Sequence, residues 1–130
     1  MTAQPLNAQL QQRVQGLWLP SETAAPWMVP SWQLTTGDNT EILEVLGREA
    51  HTPIAEIALQ ALMSQVQQRC RGYGAEGQAI AQQHQALFDF LQQSCDRLRV
   101  LRVGIAIVDI VIVGATADGY VALQTQSVET

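Results

Sequence analysis

Lysine is absent from this 130-residue sequence, and seven arginines are its only strongly basic side chains. Twelve acidic residues outweigh them and give a formal net charge of −5. Proteins that bind nucleic acid neutralise phosphates with many lysine and arginine side chains, so this balance argues against direct contact with DNA or RNA. An acidic surface instead suits a basic protein partner, because opposite charges raise the rate of encounter.

Long apolar runs and targeting segments are also missing. The longest apolar stretch, VGIAIVDIVIVGA, has 13 residues and is interrupted by Asp109, whereas a helix that spans a bilayer needs about 20. No basic region followed by an apolar one opens the chain, so no signal peptide is visible. We therefore expect a soluble, cytoplasmic protein without membrane contacts, folded as a single domain over residues 1–130.

Residues that carry chemistry are few. Cys70 and Cys95 lie far apart with no CxxC pair, which favours free thiols over a disulfide. His51 and His84 have no partner at metal-ligand spacing, and we interpret both as ordinary surface histidines. No phosphate-binding loop, nucleophile elbow or zinc-protease motif occurs. The sequence predicts a binding protein that is not an enzyme, with no cofactor and no metal of its own.

Acidic residues occupy two notable places in the sequence. Glu41, Glu44 and Glu49 cluster, and a solvated helix face explains them better than catalysis does. Asp109 interrupts an apolar strand, and a buried charge must be paired. We expect its partner to be Arg102 on the neighbouring strand.

Most of the chain before residue 96 is predicted to be helical, because apolar residues recur there at helical spacing. Thr52 as N-cap and Pro53 at the first helical position give the clearest helix start. The segment from Trp27 to Leu34 is predicted to be a short edge strand, because proline is best tolerated there. The predicted helices are from about Leu6 to Gly16, Thr40 to Leu46, Pro53 to Arg71, and Glu76 to Asp96.

After Asp96 the pattern changes to short β-branched runs that predict three strands, RVLRVG, VDIVIVGA and YVALQTQS. Thr116 to Gly119 forms the predicted hairpin turn between the last two. The middle run is apolar on both faces, as expected of a strand covered on both sides. These elements predict an α+β fold with helices on both faces of a sheet, and Trp18, Trp27 and Trp32 are expected in the core.

The stretch QGLWLPSETAAPW and the C-terminal stretch LRVGIAIVDIVIVGATADGYVALQTQSVET resemble the cyanobacterial nuclease A inhibitor (NuiA-like) family. QGLWLPSETAAPW is similar to the helix end and Ser-Glu turn of that family, and the C-terminal third keeps several of its residues. These are Arg102, Gly104, Asp109, Gly114, Thr116, Gly119, Ala122, Thr125 and the closing Val128, Glu129 and Thr130. The resemblance implies a three-layer α-β-α sandwich of the PR-1-like type with a largely antiparallel sheet.

The resemblance also implies a function and a set of partner-binding residues. Members of the family bind and occlude a sugar-nonspecific DNA/RNA endonuclease of the ββα-metal type, which uses one magnesium ion. The Ser-Glu turn, here with Glu22, would contact an arginine of the nuclease. The terminal Thr130, with Glu129 beside it, would approach the hydrated magnesium through a water. Gln12 on the first helix would add to the interface.

One departure from the family concerns an Asp-Trp pair of its interface, which aligns with Arg71 and Gly72. An acid has become a base and a large aromatic is lost, so the target can differ from the family's own nuclease. The alternative function is a non-catalytic protein-binding module or a homodimeric assembly module with another target. For the inhibitor, we expect a monomer in the free state.

Overall fold

The computed structural model describes residues 5–20 and 24–129. Within them the chain is α+β with antiparallel sheets, which confirms the predicted class. A single 3₁₀ turn, Arg71–Tyr73, separates the last two helices. In chain order the elements are α1 Leu6–Val14, β1 Trp18–Leu19, β2 Ala25–Pro26, α2 Asn39–Leu46, β3 Ile54–Ile57, α3 Leu59–Cys70, α4 Gly74–Ser94, β4 Arg97–Val103, β5 Ile107–Thr116 and β6 Gly119–Val128.

The main sheet has the strand order β3-β4-β5-β6, and every neighbouring pair is antiparallel. Its last three strands are the three predicted from the sequence. The predicted hairpin turn joins β5 to β6, with Thr116 opposite Gly119, and Gly119 takes the positive φ (125°) that such a turn favours in glycine. The two-stranded β1–β2 ribbon contacts β6, and Met28, two residues after β2, forms an isolated bridge with Gln124 of β6.

Both faces of β5 are buried over most of its length, as the apolar residues on both of its faces predict. On one face, Val108, Ile110 and Ile112 belong to the larger core, which α1, α3 and α4 help to close. On the other face, Val111 and Val113 pack with residues of α2 and β4 in a smaller core. Because side chains alternate along a strand, successive buried residues of β5 point to the two cores in turn.

The predicted helix from Pro53 to Arg71 is right only from Leu59 onward. Ile54 and Ile57 belong to β3 and pair with Val103 and Val100 of β4. Ile54 packs against the smaller core and Ile57 against the larger one. Residues three apart share a face on a helix but point to opposite faces in a strand, so only a strand gives both isoleucines apolar surroundings.

The predicted edge strand from Trp27 to Leu34 is also wrong. Only Ala25–Pro26 forms a strand there, followed by the single bridge at Met28. Trp27 is buried in the larger core, and Trp18 and Trp32 are half-buried against the two cores, in line with the expected core role of the tryptophans.

His84 is fully buried, so its interpretation as a surface histidine is wrong, whereas His51 is exposed as predicted. The indole Nε1–H of Trp27 donates to Nε2 of His84 at 2.9 Å, and Nδ1 lies 2.9 Å from the carbonyl oxygen of Ile80. Burial lowers the pKa of His84, and the hydrogen bond to Ile80 opposes that effect. These contacts suit a neutral imidazole that donates from Nδ1. Cys70 and Cys95 are free thiols, as predicted.

Candidate partner-binding site

Arg69, in the last turn of α3, joins two segments that are far apart in the sequence. Its Nη1 donates to the carbonyl oxygen of Pro20 at 3.0 Å and to the hydroxyl of Ser127 at 3.2 Å. Its Nη2 lies 3.5 Å from a carboxylate oxygen of Glu129. The burial of Cys70 beside it fixes this turn of the helix against the larger core. One side chain therefore ties the residue before segment 21–23 to the residue before Thr130.

Glu129 is paired with a second arginine, Arg102 of β4, which donates to both of its carboxylate oxygens. Arg102 also contacts Gln65 of α3. Burial alone would raise the pKa of Glu129, but hydrogen bonds from Arg102 and Ser127, with the charges of Arg102 and Arg69, hold it below its usual 4.5. The carboxylate is therefore an anion at neutral pH whose charge is already compensated within the protein.

The predicted pairing of Asp109 with Arg102 is wrong. Asp109 binds Arg48 instead, with Nη2 at 2.8 Å and Nε at 3.0 Å, and accepts from the amide of Gln126 at 3.1 Å. In the register of the two strands Arg102 lies opposite Ile110, one residue away from Asp109. A shift of one residue places a side chain on the other face of the sheet, so Arg102 and Asp109 cannot meet.

The other flank of segment 21–23 is held by β6. The hydroxyl of Thr125 lies 3.2 Å from the carbonyl oxygen of Ala25 and 3.0 Å from that of Pro26, close enough to donate to either. Together with the bond from Arg69 to Pro20, this attaches the chain on both sides of the segment to the same region of the structure.

Of the four partner-binding residues that the sequence selects, the structure describes Gln12 and Glu129. Glu22 and Thr130 lie outside the described residues. Glu129 and Pro20 both contact Arg69, and Pro20 precedes Glu22 by two residues in the sequence. Gln12 is exposed on α1 and lines a groove of about 550 Å³ with Pro26 and Trp27. Among the hydrogen bonds and ion pairs of the described residues, none joins Gln12 to Arg69.

Arg69 itself was not predicted from the sequence. It lies at the C-terminal end of α3, where basic residues are common. Its partners are 49 and more residues away, so no local spacing indicates them.

Glu41 is not simply part of a solvated face. Its carboxylate accepts from the backbone amides of Thr35, Thr36 and Gly37 at 2.8–3.0 Å. The amide of Thr35, then that of Gly37, then the Thr35 hydroxyl lower the pKa of Glu41 to about 2. Glu44 and Glu49 are exposed, as predicted. Glu41 therefore orders the loop before α2.

Residues 5–20 and 24–129 contain no group of three or more histidine, cysteine, aspartate or glutamate side chains that could hold a metal ion. In the same part of the chain, no helix combines the length and apolar character that crossing a membrane requires.

The family model described as "Nuclease A inhibitor-like protein" matches residues 4–130, which is nearly the whole chain. No curated protein matches the sequence.

Proposed function

Since the chain belongs to the nuclease A inhibitor-like family, we propose that it binds a sugar-nonspecific ββα-metal nuclease and occludes its active site without catalysis. The observation that carries the proposal is the bridge made by Arg69. It connects Pro20, which precedes segment 21–23, with Glu129, which precedes Thr130. These are the two segments that the resemblance assigns to the nuclease. An acidic protein with a net charge of −5 would also be attracted to a nuclease surface that binds polyanions.

In this proposal Glu22 imitates a substrate phosphate and pairs with an arginine of the nuclease. The chain on both sides of segment 21–23 is attached, at Pro20 and at Ala25–Pro26. Conformational entropy that these flanks have already lost on folding is not lost again on binding, so more of the pairing energy appears as affinity.

Thr130 is proposed to reach the nuclease's magnesium through a retained water, because Mg²⁺ prefers oxygen ligands and sheds its waters reluctantly. Glu129 then acts as a positioning residue. Its carboxylate is occupied by Arg69 and Arg102, and its backbone N–H donates to the carbonyl oxygen of Ala106 at 2.6 Å. These bonds restrain the residue that immediately precedes Thr130.

We further propose that the fold is the PR-1-like three-layer α-β-α sandwich, since apolar residues cover both faces of the main sheet. The protein is proposed to act as a monomer in the cytoplasm, with the endonuclease as its partner and Gln12 at the edge of the interface.

A plasmid-digestion assay with several magnesium-dependent ββα-metal nucleases tests the proposed function. Excess wild-type protein should stop cleavage by at least one of them. Glu22→Ala should cost about 2–5 kcal/mol of binding free energy if its arginine partner is desolvated in the complex. Glu44→Ala is the matched control, because Glu44 is an exposed acid on α2. Undiminished cleavage by every nuclease at excess wild-type protein would refute the inhibitor function.

The role of the C-terminus has its own test. Deleting Thr130, or adding a few residues after it, should weaken inhibition while the melting temperature stays nearly unchanged. A C-terminal extension that leaves inhibition intact would refute the approach of Thr130 to the magnesium and leave the role of Glu22 standing.

A further inference from the structure

The turn between β4 and β5, residues 104–106, and the first residue of β5 expose two large apolar side chains. Ile105 is 77% exposed and Ile107 is 53% exposed. The other large apolar side chains that are exposed among the described residues, Met28 and Tyr73, belong to other segments. Ile105 and Ile107, separated by one residue, thus leave apolar surface exposed at the tip of this hairpin, and exposed apolar patches mark interaction sites when they are large.

The backbone of this turn adopts a conformation that costs free energy. Ala106 has a φ of 66°, and the N–H of Ile107 donates to the carbonyl oxygen of Ile105 at 2.7 Å. A bond between residues two apart around a positive φ is the γ-turn that is rare and strained. Such conformations persist only where the surroundings determine them, and they cluster at sites of function.

Three contacts from other parts of the chain determine this conformation. Gly104 N–H donates to the carbonyl oxygen of Pro53 at 2.9 Å, and Arg48 Nη2 donates to that of Ile107 at 3.1 Å. Glu129 N–H donates to the carbonyl oxygen of Ala106 at 2.6 Å. Glycine suits position 104, because its φ is 104° and a Cβ there would lie 2.8 Å from the carbonyl oxygen of Ile107.

We infer that Ile105 and Ile107 form an apolar anchor that inserts into an apolar depression of the nuclease, beside its magnesium site. This inference rests on the proposed function. The contact between Ala106 and Glu129 makes the tip continuous with the residue that precedes Thr130. Since Thr130 is proposed to approach the magnesium, the tip faces the neighbouring surface of the same partner.

The rigidity of the tip strengthens this inference. Burying an apolar side chain contributes most to affinity when no conformational freedom is lost on binding. Here the backbone is already fixed by the γ-turn and by three contacts, and β-branched isoleucine has few rotamers to lose. A charged side chain in such a central apolar contact would be strongly unfavourable.

Three variants assayed with a nuclease that the wild-type protein inhibits test the inference. Ile105→Asp and Ile107→Ser should each raise the concentration needed for half-inhibition about tenfold or more, which corresponds to about 1.4 kcal/mol. Met28→Ser is the matched control, since Met28 is 50% exposed and lies on a different segment. It should inhibit like the wild type. Melting temperatures of all three should stay close to the wild-type value.

Each outcome decides a different point. Wild-type inhibition combined with unchanged inhibition by Ile105→Asp and Ile107→Ser would overturn the inference and leave the proposed function standing. A wild-type protein that inhibits no nuclease would overturn both. Light scattering distinguishes binding of the nuclease from self-association through the tip. A wild-type dimer that Ile105→Asp converts to an equally inhibitory monomer would assign the tip to self-association and overturn the inference.

Discussion

Asp109 and Glu129 are both carboxylates paired with arginine near the same end of the main sheet, but on opposite faces. Asp109 retains 5% of its side-chain exposure and is held by Arg48 and Gln126. Glu129 retains 33% and is shared between Arg102 and Arg69. The first pair lies beside the smaller core, and the second lies where the chain approaches its last residue.

This difference in exposure and in the number of arginine partners suits Asp109 to stabilising the fold and Glu129 to a binding surface. A buried carboxylate with one arginine depends on that arginine to offset its lost hydration. A one-third exposed carboxylate with two arginines keeps contact with water, so losing one partner costs the fold little. The cluster at Glu129 can therefore vary its contacts with a partner without endangering the fold, whereas the cluster at Asp109 cannot.

The largest effect is expected from Arg48→Met. It leaves the buried carboxylate of Asp109 with only the amide of Gln126 and should lower the free energy of unfolding by about 3–5 kcal/mol. Urea denaturation measures the change. The double variant with Asp109→Asn should regain part of the loss, because no uncompensated charge remains. A loss below about 1 kcal/mol for Arg48→Met would remove the distinction between the two carboxylates.

An intermediate effect on stability and a large one on inhibition are expected from Arg69→Met. It removes hydrogen bonds to Pro20 and Ser127 and should cost about 1–2 kcal/mol of unfolding free energy. Inhibition should fall about tenfold or more, because Pro20 and Glu129 would no longer be held by one side chain. A tenfold loss corresponds to about 1.4 kcal/mol of binding free energy. Arg97→Met is the control, because Arg97 is exposed at the other end of β4. Equal inhibition by both variants would contradict the bridging role of Arg69.

The smallest effect is expected from Glu129→Gln, with a loss of less than about 1 kcal/mol at pH 7 because the pair is partly exposed. Its pH dependence is more informative. The pKa of Glu129 is lowered on folding, so its contribution is complete above about 4.5 and is lost as the pH falls through the lower, folded value. The difference between wild-type and variant stability should therefore vanish in acid. A difference that grows as the pH falls would contradict the pairing.

Local sequence patterns predicted correctly the elements that their own residue types identify. The alternating β-branched residues of β4, β5 and β6 identify strands without knowledge of their neighbours. The segment from Ile54 to Ile57 failed because Thr52 and Pro53 form a good helix start, while pairing with β4, distant in the sequence, decided the outcome. His84 failed for a different reason. It lies four residues after Ile80 and four before Phe88, on the buried face of α4, and the glutamines around it concealed that position.

The candidate site was less predictable than the fold because its contacts are not local. The sequence suggested Arg102 as an ion-pair partner, but strand register assigned it to Glu129 and not to Asp109. Register depends on which faces two distant segments bury, and a one-residue difference reverses it. Nothing in the residues around Arg69 indicates Pro20 or Ser127, so the link between the two proposed binding segments emerged only from the structure.

The contacts of Arg69 also have a consequence for the order of folding. They join residues separated by 49 and 58 positions, and contacts of such separation require large loops to close before they form. We expect them to be absent from the folding transition state, so that losing them accelerates unfolding more than it slows folding. The end of the molecule that carries the proposed interface would then assemble last and open first, and a bound nuclease would slow its opening.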